Sequence, residues 1–178
     1  HPTSERQRGF SINSKAMKRL LILVLFAVFA ATAVQAQQKV TLAECGGDTV
    51  LFLRKAFDDR KADFIGQPFS KVLDEWRSQL PVGQLLFGDT GMWPTKEEEK
   101  YLVKSASLYY EKEKEINLKR IQHEPYYILL VTFVPPLRYQ SLEFYQLQDE
   151  ENLPLGPQLY EKLKDYVVKD IKVFEMKH

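Results

Sequence analysis

Tyr126-Tyr127-Ile128-Leu129-Leu130-Val131-Thr132-Phe133-Val134 runs for nine residues without a charge and stops at Pro135-Pro136. It is rich in β-branched and aromatic residues, and it is far shorter than the ~20 residues a membrane-spanning helix needs. The stretch therefore reads as a strand apolar on both faces. Tyr127, Leu129, Val131 and Phe133 fall on one side, and Tyr126, Ile128, Leu130 and Val134 on the other. Such a strand needs cover on both sides, so the rest of the chain is read for what can supply it.

Upstream, Gly46-Gly47-Asp48 offers a turn and an acidic N-cap. Val50, Leu53, Phe57 and Phe64 then recur at helical spacing, with Arg54, Lys55, Asp58, Asp59 and Arg60 mostly opposite, which predicts an amphipathic helix over residues 49–63. Gly66 stops it, and Pro68 suits the first turn of a second helix carrying Phe69, Val72, Leu73 and Trp76 to about Ser78. Two helices about a Gly/Pro turn make a helical hairpin whose shared apolar face can lie on a sheet. Trp76 belongs on that face as a core side chain rather than a ligand platform. Gln84 to Phe87 is a short strand, Gly88 to Gly91 a turn, and Met92-Trp93-Pro94 a loop with an aromatic residue.

The reading of 95–121 is a choice between two patterns. Thr95 with Glu98 matches a capping box, and the Glu/Lys-rich composition favours one long helix. Alternation from Tyr101 to Tyr110 favours a strand, followed by a solvated charged hairpin tip at Glu111-Lys112-Glu113-Lys114-Glu115 and entry into the next strand from Ile116. The strand reading is preferred, with antiparallel pairing onto 126–134. Downstream, Leu142 and Tyr145 suit a short helix, Asp149 to Asn152 a loop, and Leu159, Leu163, Tyr166 and Val167 a third amphipathic helix opened by Pro154-Leu155-Gly156-Pro157. Lys169 to Met176 reads as a half-buried closing strand. The expected fold is α+β: an N-terminal helical hairpin and a later helix packed on an antiparallel sheet of about four strands.

The N-terminal region carries an address. Met17-Lys18-Arg19, an uncharged apolar run from Leu20 to Val34, and Val34-Gln35-Ala36 follow the order of a secretory signal peptide, read as 17–36. Residues 1–16 precede that methionine without apolar periodicity and read as a leader or a start assigned too early. Cleavage after Ala36 leaves a single domain, 37–178, with no stable membrane span, placed in the periplasm or outside the cell. The 25 Lys and Arg and 24 Asp and Glu of the whole chain give a net charge of +1. Five basic residues and one acidic residue lie before position 37, so the domain itself has a formal charge of −3. A mildly acidic domain without a basic stripe is not a nucleic-acid binder. Cys45 is the single cysteine, which rules out an intramolecular disulfide; Glu44 before it does not fit a lipidation signal, leaving a half-buried thiol as the expectation.

The chemistry on offer is thin. Beyond residue 36 the histidines are His123 and His178, too few for a nucleophile–imidazole pair with a recognisable motif and too few for zinc. Neither Asp58-Asp59 nor Asp149-Glu150-Glu151 has the spacing of a calcium loop, and no glycine-rich phosphate cradle is present, so no cofactor or metal is expected. Paired carboxylates for hydrolysis remain open. The aromatic residues offer a platform for a sugar ring or partner protein, and the residues singled out for it are Trp93, Tyr109, Tyr126, Arg138 and Tyr139.

Three strings, Phe64-Ile65-Gly66-Gln67-Pro68-Phe69-Ser70-Lys71-Val72-Leu73, Tyr127 to Phe133, and Val167-Val168-Lys169-Asp170-Ile171-Lys172-Val173, resemble small exported proteins of unassigned function in Bacteroidetes-type bacteria. The resemblance covers most of the predicted domain and implies export without implying a catalytic residue. The order of helical hairpin then antiparallel strands is also similar to the architecture of β-lactamase-inhibitor proteins and small outer-membrane assembly lipoproteins. The functional expectation is a non-enzymatic module binding a protein or glycan of the cell envelope. Its alternatives are a small carboxylate-using envelope hydrolase and a soluble inhibitor of a secreted enzyme.

Overall fold

Four antiparallel strands in the order β1-β2-β3-β4 form the sheet of the computed structural model, which describes residues 39–91 and 100–177. The strands are β1 (Gln84–Asp89), β2 (Val103–Tyr109), β3 (Tyr126–Phe133) and β4 (Val168–Met176). Five helices accompany them: α1 (Thr49–Leu53), α2 (Phe69–Arg77), α3 (Glu113–Gln122), α4 (Ser141–Glu151) and α5 (Pro157–Leu163). The α+β class and the four-stranded antiparallel sheet are as expected. Residues 1–16, the segment 17–36 read as a signal peptide, the expected loop at Met92-Trp93-Pro94 and the expected capping box of Thr95 and Glu98 lie outside the described residues.

Residues opposite one another in a ladder point to the same side of a sheet, so the register sorts the two faces. Leu85, Leu108, Leu129 and Val173 form one cross-sheet row, and Phe87, Ala106, Val131 and Ile171 the next. Both rows are buried in the main core with Phe52, Leu53, Phe69, Leu73, Trp76, Phe144, Leu159 and Leu163 from α1, α2, α4 and α5. Trp76 is fully buried and donates its indole N–H to Pro81 O at 2.9 Å, as a core side chain must.

The other face is covered only in part. Tyr126 and Ile128 are buried there with Tyr109 beneath α3, whereas Leu130 is half-exposed and Val134 is 40 % exposed. The expectation that the central strand is sheathed on both sides thus holds for its first half.

The helix expected over 49–63 is broken into three geometries. Asp48 caps α1 by accepting from Leu51 N–H at 2.9 Å. From Arg54 to Asp58 the chain widens to a π-helix, with Asp59 N–H bonded to Arg54 O at 2.9 Å, and Lys61–Asp63 forms a 3₁₀ turn. Asp58 at the end of the widened turn accepts Val173 N–H at 2.8 Å, and so satisfies a donor on the outer edge of β4. Gly66 adopts φ +78 and exchanges bonds with β4: Gly66 N–H to Val168 O, 2.8 Å, and Val168 N–H to Gln67 O, 2.9 Å.

Further expectations are corrected. The charged run Glu111 to Glu115 is not a hairpin tip, and Ile116 to Arg120 does not enter a strand. Both belong to α3 and the turn before it, where Glu115 accepts from Lys112 N–H at 2.8 Å and the Glu/Lys-rich run is made of strong helix formers. Asp149 to Glu151 is the last turn of α4, which Asn152 ends in the left-handed region at φ 51. Tyr166 and Val167 lie beyond the end of α5: Tyr166 is buried, but Val167 is 40 % exposed and forms a bridge to Pro68. Cys45, expected to be half-buried, is a buried free thiol, 6 % exposed.

Candidate functional site

The aromatic and cationic residues expected to share a platform are divided between two places. Tyr109 and Tyr126 stack at 6.5 Å between ring centroids on the second face of the sheet, both nearly fully buried. Arg120 of α3 lies over the Tyr126 ring at 5.2 Å and donates to its hydroxyl at 3.1 Å. Burial, and then the neighbouring Tyr126 phenol, raises the Tyr109 hydroxyl above its ordinary value.

Arg138 and Tyr139 follow Pro135-Pro136 elsewhere, against the main core. Tyr139 packs on Phe144 and carries Lys162 Nζ 4.2 Å above its ring, while Arg138 is exposed. The Tyr166 hydroxyl accepts from both backbone N–H groups of that turn, at 3.3 and 3.2 Å. Tyr109 with Tyr126 forms one group, Arg138 with Tyr139 another, and Trp93 lies outside the described residues.

A different arrangement lies beside β1. The groove there, about 390 Å³, is bordered by the start of β1, the first turn of α3, the last turns of α4 and the Asn152-Leu153-Pro154 segment. Its back wall is fixed by side chains that replace a missing neighbour strand. The Gln148 amide donates to Leu85 O at 3.0 Å and to Pro154 O at 2.7 Å. The Tyr145 hydroxyl accepts from Phe87 N–H at 3.1 Å and reaches Phe87 O at 3.4 Å. An open edge of β1 is thereby closed against pairing with another chain.

The charged side chains lining the groove, among the described residues, are the carboxylates Glu113 and Asp149, joined by the amides of Gln84 and Asn152 and the apolar surface of Leu86 and Leu153. Acceptors and planar amides around an open hollow suit a polar ligand that brings hydroxyl or ammonium donors. The sequence alone does not reveal this groove, because Glu113 reads as part of a hairpin tip and Asp149 as loop, whereas both lie in helices. Gln148 reaches Leu85 across 63 positions, a separation for which a single sequence has no local signal.

No group of three or more His, Cys, Asp or Glu side chains among the described residues is arranged to hold a metal ion. No helix among them is long and apolar enough to cross a membrane. Comparison of the chain with protein-family models, with curated proteins and with solved structures finds no match.

Proposed function

We propose that this chain is an exported, non-enzymatic binding module that holds a donor-rich segment of an envelope protein or glycan in the groove beside β1. The export half of the reading rests on the basic, apolar and small-residue order of Met17 to Ala36. The binding half rests on one observation: a hollow of about 390 Å³ whose described charged lining is Glu113 and Asp149, with amides between them. The test is capture of glycan strands and peptides released from cell envelopes on the immobilised protein. The expected result is specific retention that the Glu113→Gln/Asp149→Asn double variant lowers at least tenfold. Retention of nothing, or equal retention by the variant, refutes the reading.

A second reading is favoured by the same two carboxylates. Two acids facing one groove are the minimum equipment for glycoside hydrolysis, one to protonate the leaving group and one to act on the sugar or on water. Incubation with envelope glycan strands followed by mass spectrometry separates the two. Cleavage that Glu113→Gln or Asp149→Asn reduces a hundredfold or more supports the hydrolase, and binding without cleavage supports the module.

A further inference from the structure

α3 is anchored to the sheet by one buried apolar side chain, and it conceals an aromatic surface. Of its ten residues Ile116 is the buried one, while Leu118 and Ile121 are 53 % and 76 % exposed. Beneath Ile116 lie the stacked Tyr109 and Tyr126 with Ile128, and the partly buried Leu86 and Phe174 pack against them. This cluster is separate from the main core on the opposite face. Polar ties add to this anchor: Arg120 donates to the Tyr126 hydroxyl and lies over its ring, and Lys119 pairs with a part-buried Glu111 at the turn before the helix. At the ends stand Lys112 in extended conformation and His123 in the left-handed region at φ 56. An isolated helix of this length is not stable in water, and a single apolar anchor holds it on its own sheet. Losing that anchor leaves the main core intact, which is the condition for local opening.

We propose that α3 is a hinged cover, and that lifting it makes the second face of the sheet a binding surface for a flat aromatic ligand carrying an anionic group. The floor supplies the aromatic chemistry, because two phenol rings, Phe174, Ile128 and Leu86 offer faces and edges for offset stacking. The anion preference comes from Lys172, which stays with the sheet when α3 moves. It is exposed on β4, and its Nζ lies 5.0 Å from the centre of the Phe174 ring. This surface is distinct from the polar groove, and the inference does not rest on the groove having a ligand.

The probe is 1-anilinonaphthalene-8-sulfonate, an aromatic sulfonate, titrated onto the whole protein by fluorescence while backbone exchange is followed by mass spectrometry. In the free protein the α3 amides are expected to exchange as a block at least a hundredfold faster than those of β3. The probe is expected to bind saturably and to raise α3 exchange at least threefold. Ile116→Ala should tighten binding threefold or more, because less is spent in opening. Phe174→Ser, at a partly exposed position on an edge strand, should weaken it fivefold or more, as should Lys172→Glu. Exchange of α3 in step with β3 overturns the proposal. So does the absence of saturable binding, or an affinity unchanged by Phe174→Ser.

Discussion

Replacing Tyr166 by Phe tests whether one hydroxyl pins the turn after β3. Tyr166 is 3 % exposed, and its ring packs on Phe133 at 4.7 Å and on Phe144 at 6.4 Å, contacts that Phe retains. What is lost is the acceptor for Arg138 N–H and Tyr139 N–H, at 3.3 and 3.2 Å. A neutral hydrogen bond contributes a net ~0.5–1.5 kcal/mol. Arg138 is exposed, so its N–H regains water in part, and the expected loss at pH 7 is about 1–2 kcal/mol.

A second arm comes from titration, since burial, the largest influence, raises the Tyr166 hydroxyl above its ordinary value of 10.0. Between the unfolded and folded values the unfolded chain has released this proton and the native chain still holds it. Stability attached to the group is therefore complete below pH 10 and falls as pH rises through the folded value, by at most ~1.4 kcal/mol per pH unit. The Phe variant lacks this slope, so the gap between the proteins should narrow from pH 9 to pH 11. Tyr109 and Tyr110, also raised by burial first, titrate in both proteins and cancel. Urea unfolding followed by tryptophan fluorescence at pH 7, 9, 10 and 11 measures the gap. Equal midpoints at pH 7, or a gap that stays constant or widens with pH, would refute the reasoning.

Asp58→Ala removes a charged acceptor from Val173 N–H and should cost about 1–3 kcal/mol. It also leaves a donor on the outer edge of β4 without its cap, so concentration-dependent association by sedimentation velocity is expected, and a monomeric variant of unchanged stability would count against the edge-capping role. Gly83→Ala places a Cβ 2.3 Å from the backbone carbonyl carbon and oxygen of Glu111 and 2.7 Å from Tyr110 O. The start of β1 must move away from the end of β2, at a cost of roughly 1–3 kcal/mol in denaturant midpoint. A shift under about 0.5 kcal/mol, the scale of an ordinary surface substitution, would show that the approach is not tight.

Why some of this was readable in the sequence and some was not follows from how far apart the cooperating residues lie. Asp48 as an N-cap, Gly66 as a stop and the α2 stripe of Phe69, Val72, Leu73 and Trp76 act within a few positions, and a single sequence displays them. β3 was legible because nine uncharged residues between loops have few other uses. α3 was misread because one inward residue, Ile116, gives no stripe, and its apolar neighbours Leu118 and Ile121 face solvent. The groove was illegible for a different reason. Its wall depends on Tyr145 and Gln148 bonding backbone atoms of Phe87 and Leu85, 58 and 63 positions away, and backbone atoms carry no residue identity.

A sheet offers four approaches to a partner, and this chain blocks three of them. The inner face is buried under α1, α2, α4 and α5; the edge of β1 is engaged by Tyr145 and Gln148; that of β4 is engaged by Asp58, Gly66 and Gln67. The fourth approach is the second face, closed at one end by α3, and its border meets the polar groove at two residues. Leu86 lines the groove and packs on the aromatic cluster; Glu113 lines the groove and begins α3. Under the two proposals above, a ligand gripping Glu113 would hold α3 closed, while a ligand on Tyr109 and Tyr126 would require it open. The two proposed sites would then be coupled with negative sign, and linkage makes the effect reciprocal: each ligand should weaken the other by the same factor, on the order of 5-fold or more for couplings of the usual size. Titrating the naphthalene sulfonate with the groove filled by its captured ligand, and then the reverse, measures both factors. Equal weakening in both directions, lost in Glu113→Gln, is expected, and independent binding would mean that α3 does not move between the two.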